Sequence, residues 1–130
     1  MAVVDASVWV AWFQKDDVFY KQAESIIQSL LSTRERVSLP IIAFTEVAGA
    51  IKRTTKNNDN AWNAVLFMKE LEPEVWHHFG ELEPIATEIA VKYNTRGADA
   101  YYLAVAEITQ SNLYTFDKQQ QEAFDAIRKT

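Results

Sequence analysis

Four carboxylates stand beside apolar runs in this chain. They are Asp5 after Ala2-Val3-Val4, Glu46 within Phe44-Thr45-Glu46-Val47, Asp99 within Arg96-Gly97-Ala98-Asp99-Ala100, and Asp117 after Leu113-Tyr114-Thr115-Phe116. An acid beside an apolar run is costly to bury unless it is paired or holds a cation. Several acids that can converge suggest a hard divalent metal, because Mg2+ takes oxygen ligands and keeps several waters. Such an ion lowers the pKa of a bound water and offsets charge on phosphate oxygens, which suits hydrolysis of a phosphodiester. On this chemistry Asp5 and Asp99 are candidates for direct metal contact, and Glu46 and Asp117 complete the set directly or through water. Glu46 is also a candidate to orient or deprotonate an attacking water.

The elements that must position these acids alternate between strand and helix. Val3-Val4 reads as a short strand, and Ala6 to Phe13 as a helix with Ser7 in its first turn. Asp17 can cap a second helix to about Ser32, whose apolar Ala23, Ile26, Ile27, Leu30 and Leu31 recur at helical spacing. Val37-Ser38-Leu39 reads as a buried strand, with Pro40 opening a helix that carries Glu46, Gly49 and Arg53. After Asn57-Asn58-Asp59 a fourth helix presents Ala61, Trp62, Val65, Leu66 and Met68 as its apolar side. Val75-Trp76-His77 is a third strand, and Pro84 to Tyr93 a helix whose connection Gly97 ends. Ala98 to Ile108 is a further helix, Leu113 to Phe116 the last clear strand, and Gln119 to Arg128 a terminal helix.

Alternation of this kind implies α/β architecture, a parallel sheet covered on both faces. Ligands in such sheets bind beyond the carboxyl ends of the strands. Asp5 and Asp117 fall at strand ends. Asp99 falls in a first helical turn, where the macrodipole favours negative charge. Glu46 sits one turn into its helix between Ile42 and Ala50, on a partly apolar face.

At 130 residues, 48% of them hydrophobic, the chain reads as one domain over residues 1–130 with one core. It contains no cysteine, which excludes disulfide scaffolds, thiolate metal sites and thiol nucleophiles and fits a cytoplasmic protein. The apolar stretch from Ala2 to Phe13 is interrupted by Asp5, has no preceding Lys or Arg, and is too short to span a bilayer. The formal net charge of −5 is opposite to that of a nonspecific nucleic-acid binder. Bound cations would reverse the local field.

The ordered set of acids resembles the PIN-domain nucleases, and among them the VapC-type toxins of type II toxin–antitoxin pairs. Val3-Val4-Asp5-Ala6-Ser7 is similar to that family's opening strand, first acid and hydroxyl. Thr45-Glu46-Val47 is similar to its second acidic motif, Asp99-Ala100-Tyr101-Tyr102-Leu103-Ala104 to its third, and Thr115-Phe116-Asp117 to its fourth. The resemblance spans residues 2 to 117. It implies a three-layer sandwich with a central parallel sheet of four or five short strands. It also implies RNA cleavage with Mg2+ or Mn2+, a cognate antitoxin, and a homodimer. Carried onto this sequence, Asp5, Glu46, Asp99 and Asp117 form the acidic set, with Asp5, Asp99 and Asp117 toward the metal and Ser7 and Thr115 as supporting hydroxyls. The departure lies at the C-terminus, where Phe124-Asp125-Ala126-Ile127-Arg128 is a weak candidate for a fifth strand.

Arg96, Lys52 and Arg53 lie near the acids in sequence and are candidates for RNA phosphate contacts, against the plainer reading of solvated helix faces. The pair His77-His78 lacks a spaced partner and reads as structural, and Trp9, Trp12, Trp62 and Trp76 read as packing residues. A receiver-like phosphotransfer module would need adjacent acids after the first strand. Asp5-Ala6-Ser7 has no acid at i+2, which also counts against haloacid-dehalogenase-type phosphatases. A non-catalytic relative that binds RNA or protein remains the main alternative, and the net charge is its support.

Overall fold

The computed structural model describes residues 1–130. Its elements run β1 (Ala2–Val4), α1 (Ala6–Trp12), α2 (Tyr20–Thr33), β2 (Val37–Pro40), α3 (Ile42–Thr55), α4 (Asn58–Glu70), β3 (Glu74–Trp76), α5 (Leu82–Tyr93), α6 (Gly97–Thr109), β4 (Asn112–Tyr114) and α7 (Lys118–Lys129). The strands form one parallel sheet in the order β3-β2-β1-β4. The chain steps outward from β1 to β3 and then returns to pair β4 on the other side of β1. The β1/β4 boundary is therefore the topological switch point, and its carboxyl-end crevice is where such sheets take ligands.

Register follows from burial. Ala2, Val3 and Val4 are all inaccessible, so β1 is covered on both faces, as a central parallel strand must be. Ala2 pairs with Val37 and Asn112, and Val4 with Tyr114. The ladder extends one step further through Asp5 N–H donating to the Tyr114 carbonyl at 2.9 Å. That bond fixes the first residue after β1 beside the end of β4.

The core is one cluster of 28 buried residues. Helix α6 runs through it with Ala100, Tyr102, Leu103, Ala104, Val105 and Ala106 all buried. Its alanines let it approach β1, β2 and β4 closely. The buried Trp9 of α1 donates its indole N–H to the Val4 carbonyl at 3.1 Å, so its polar atom is satisfied.

Several boundaries differ from those expected from the sequence. Asp17 does not cap α2. Its Oδ1 accepts from Phe19 N–H at 2.8 Å in a turn that precedes the helix, which begins at Tyr20. Pro40 ends β2 opposite Trp76 instead of opening α3, and Gly97 opens α6 instead of ending the connection before it. Thr115 and Phe116 lie beyond β4, in the loop to α7. No fifth strand forms: Phe124 to Arg128 belong to α7, whose inward residues Gln120, Ala123 and Ile127 recur at helical spacing. On α4 the buried side is Ala61, Ala64, Val65 and Met68, leaving Trp62 and Leu66 exposed.

Candidate active site

Asp5 is the most buried of the four acids, at 5% exposure. It is the N-cap of α1, and its Oδ2 accepts from Ser7 N–H at 3.2 Å and Ser7 Oγ at 2.6 Å. Thr115 Oγ1 donates to the same oxygen at 3.0 Å from the other side of the switch point. Buried Gln120 adds its amide. With the nitrogen facing inward, as the surrounding hydrogen bonds require, it donates to the two Asp5 oxygens at 3.2 and 3.3 Å. The hydroxyls in turn tie down the loop after β4. Ser7 Oγ accepts from Phe116 N–H and Thr115 Oγ1 from Asp117 N–H, both at 3.0 Å.

Glu46 projects from the second turn of α3 and is half-buried. The phenol of fully buried Tyr102, on α6, donates to its Oε1 at 2.7 Å. Burial pushes the Glu46 carboxyl up, the Tyr102 bond opposes that rise, and the charges of Asp5 and Asp99 add to it. The Tyr102 phenol is also held well above its ordinary range, first by burial and then by the charges of Glu46 and Asp5. Asp99, one turn before Tyr102 on the same face of α6, is raised by burial and by Asp5, against a lowering by Arg96. Glu46 thus feels the charges of Asp5 and Asp99, and Asp99 those of Asp5 and Asp117.

Asp117 caps α7, its Oδ1 accepting from Gln120 N–H at 3.1 Å. Its Oδ2 accepts from Arg96 Nη2 at 3.2 Å, and Arg96 Nε reaches Asp99 Oδ2 at 3.3 Å. Every acid is therefore turned onto a protein donor, and no three of them close on a common point. The donor set nonetheless suits Mg2+ or Mn2+: it is all oxygen, and the neighbouring acids raise Asp99 and Glu46 where Arg96 lowers them.

The remaining sequence candidates divide. Arg53 lines a cleft of about 430 Å3 with Ser7 and Glu46, and so borders the acids. Lys52 lies over the other side of α3, its Nζ donating to Asn58 Oδ1 at 2.6 Å in a groove that also holds Trp62. Arg96 is among the acids themselves. His78 stacks on Tyr101 with ring centroids 3.8 Å apart, and its pKa is lowered by burial. A larger cleft, about 530 Å3, opens by Val37 and the C-terminal ends of α2 and α4, and holds none of the acids.

Two residues of the site were not singled out from the sequence, Tyr102 and Gln120. Each is three residues after an acid, Asp99 and Asp117. That spacing was the available signal, since i and i+3 share a helix face. For Gln120 the Asp-x-x-Gln pattern also matches a capping box.

The sequence family described as "PIN domain" matches residues 2–126 of this chain. No curated protein matches it. Among solved structures the fold is similar to VapC20 of Mycobacterium tuberculosis, described as a sarcin–ricin loop cleaving toxin, with 23% identity, 95% of each chain covered and a TM-score of 0.78. It is also similar to PAE2754 of Pyrobaculum aerophilum, with 17% identity, 97% of this chain and 85% of that one covered, and a TM-score of 0.68. At these identities both likenesses concern the fold.

Proposed function

The chain belongs to the PIN domain family, and from that premise we propose that it is a metal-dependent endoribonuclease, the toxin of a type II toxin–antitoxin pair. The observation that carries this reading is the gathering of Asp5, Glu46, Asp99 and Asp117 beyond the carboxyl ends of β1 and β4, where burial and then the neighbouring acids raise the Glu46 and Asp99 carboxyls. Asp5, Asp99 and Asp117 would hold Mg2+ or Mn2+, with Glu46 completing the set. A metal held there would offset negative charge on the phosphate oxygens and lower the pKa of a water, so that hydroxide would be available near neutral pH.

The protein's own part is positioning. Ser7, Thr115 and Gln120 hold Asp5 by four donors, so its orientation is set before any ligand arrives. Tyr102 aims Glu46 into the site. A raised carboxyl is a better proton acceptor, which suits Glu46 to take the proton of the attacking water. Arg53 borders the acids and is suited to an RNA phosphate, with Lys52 further along α3. An acidic site on a chain of net charge −5 suits an antitoxin segment that is basic and apolar, and the resemblance to VapC-type toxins implies a homodimer.

The test is cleavage of RNA in Mg2+ or Mn2+ by the parent and by Asp5→Asn and Asp99→Asn. The parent should lose activity with EDTA, and each variant should fall by on the order of 10²-fold or more. Equal cleavage by parent and variants would sink the reading. RNA binding without any measurable metal binding would instead favour a non-catalytic relative.

A further inference from the structure

Arg96 makes the only two ion pairs within 4.0 Å in the protein, although the chain has 13 Lys and Arg and 18 Asp and Glu. Both pairs fall on the candidate site. One guanidinium spans two helices, with Nε on Asp99 Oδ2 at 3.3 Å and Nη2 on Asp117 Oδ2 at 3.2 Å. No other protein side chain donates to either of these oxygens. Arg96 occupies the N-cap position of α6 but makes no side-chain cap hydrogen bond, so helix capping does not account for its placement. A planar fork reaching two carboxylates is the geometry that distinguishes Arg from Lys.

We propose that Arg96 is a built-in counter-ion that fills the cation position between Asp99 and Asp117 and must leave before a divalent metal is held there. The proposal rests on the metal-dependent reading above and adds to it a competitor within the chain. Its logic is electrostatic. Four acids gathered at one crevice repel one another, and Arg96 is the cation that lowers Asp99 against the charges of Asp5 and Asp117. At 78% exposure its side chain is largely solvated, and exposed pairs are weak enough for a divalent ion to displace. The displaced side chain has room. A groove of about 300 Å3 beside it is lined by Asn94, Gln119 and Glu122, where Glu122 offers another carboxylate.

The consequence is a metal affinity held below what the acids alone would give. Mn2+ alone, titrated by calorimetry into the parent, Arg96→Gln, Arg96→Lys and Arg53→Gln, measures it. Arg96→Gln should tighten Mn2+ binding by about three- to tenfold, the equivalent of two exposed ion pairs no longer competing. Arg96→Lys should fall between parent and Gln, because an ammonium cannot fork across both carboxylates. Arg53→Gln removes the same charge without the pairs and should shift affinity by less than about twofold. Thermal denaturation of each variant establishes that it is folded. Unchanged or weaker Mn2+ binding by Arg96→Gln overturns the proposal and leaves the nuclease reading standing, as does a loss confined to RNA binding. A tightening equal in Arg53→Gln also overturns it, because it would reduce Arg96 to general charge. Binding by no protein, parent included, overturns the metal reading and this proposal together.

Discussion

Tyr102 and Glu46 show how a single hydrogen bond couples core to site. The phenol is fully buried, yet its oxygen points at a carboxylate that faces the crevice. Tyr102→Phe should keep the packing and remove the donor. The expected result is a loss of about 1–3 kcal/mol, typical of a hydrogen bond to a charged group, read by chemical denaturation. On the proposed function it should also lower kcat more than KM, because Glu46 loses its aim. Glu46→Gln should act in the opposite sense on stability. Burial and the charges of Asp5 and Asp99 disfavour the ionised carboxyl, whereas an amide still accepts from Tyr102. The metal-free variant should melt roughly 1–3 °C higher while RNA cleavage falls, a trade of stability against activity. The acids and the two hydroxyls were legible because each interrupts an apolar run or follows one at fixed spacing. Tyr102 and Gln120 were harder to see. A tyrosine inside an alanine-rich helix reads as core, and a glutamine in Gln119-Gln120-Gln121 reads as surface, until the fold brings Glu46 to one and Asp5 to the other.

The elements hold the site through close approach and tight ends. Helix α6 carries Asp99 and Tyr102 and touches three strands, which its buried Ala100, Ala104 and Ala106 permit. Ala104→Leu would force extra volume into a filled core and should destabilise by about 1–3 kcal/mol, seen as a lower denaturation midpoint. Helix ends tell the converse story. Arg34, Lys56, Asn94 and Gln110 each end a helix in the left-handed region without being glycine. Lys56, at φ 58, is exposed, and its N–H already bonds the Lys52 carbonyl. Lys56→Gly keeps that bond and removes the strain of a side chain there. A gain of about 0.5–1 kcal/mol is expected, with RNA cleavage unchanged. Strand and helix order was readable from periodicity, because alternating buried runs and helical spacing leave few architectures open. Boundaries were less so. Asp17 satisfies a turn N–H just as it would a helix N–H, and nothing local separates the two. Pro40 can close a strand as well as open a helix, and only the pairing partner, Trp76, decides which. The C-terminal apolar residues suit a strand by composition, but their spacing of three and four buries one helical stripe against the core.

At the scale of the whole molecule, a chain of net charge −5 has to meet a polyanion through its most acidic crevice, if the proposed function holds. Without a cation that encounter is repulsive, since the acids at the switch point outnumber the one arginine among them. The fold already bears part of this repulsion: burial first, and then the neighbouring acids, raise the Glu46 and Asp99 carboxyls. Anything that binds the folded acids and not the unfolded chain must therefore stabilise the whole domain by mass action. Mn2+ at about 100 times its dissociation constant should add about 2.7 kcal/mol, a rise in melting temperature of roughly 5–10 °C. EDTA should reverse the shift. Asp5→Asn should abolish most of it, because it replaces an oxygen ligand at the junction of β1 and β4 with a weaker neutral one. Arg96→Gln should show the same rise at lower Mn2+ concentration. A shift of equal size in Asp5→Asn would mean that the ion sits elsewhere on an acidic surface. In that case the gathering of acids at the switch point would no longer account for how the protein meets RNA.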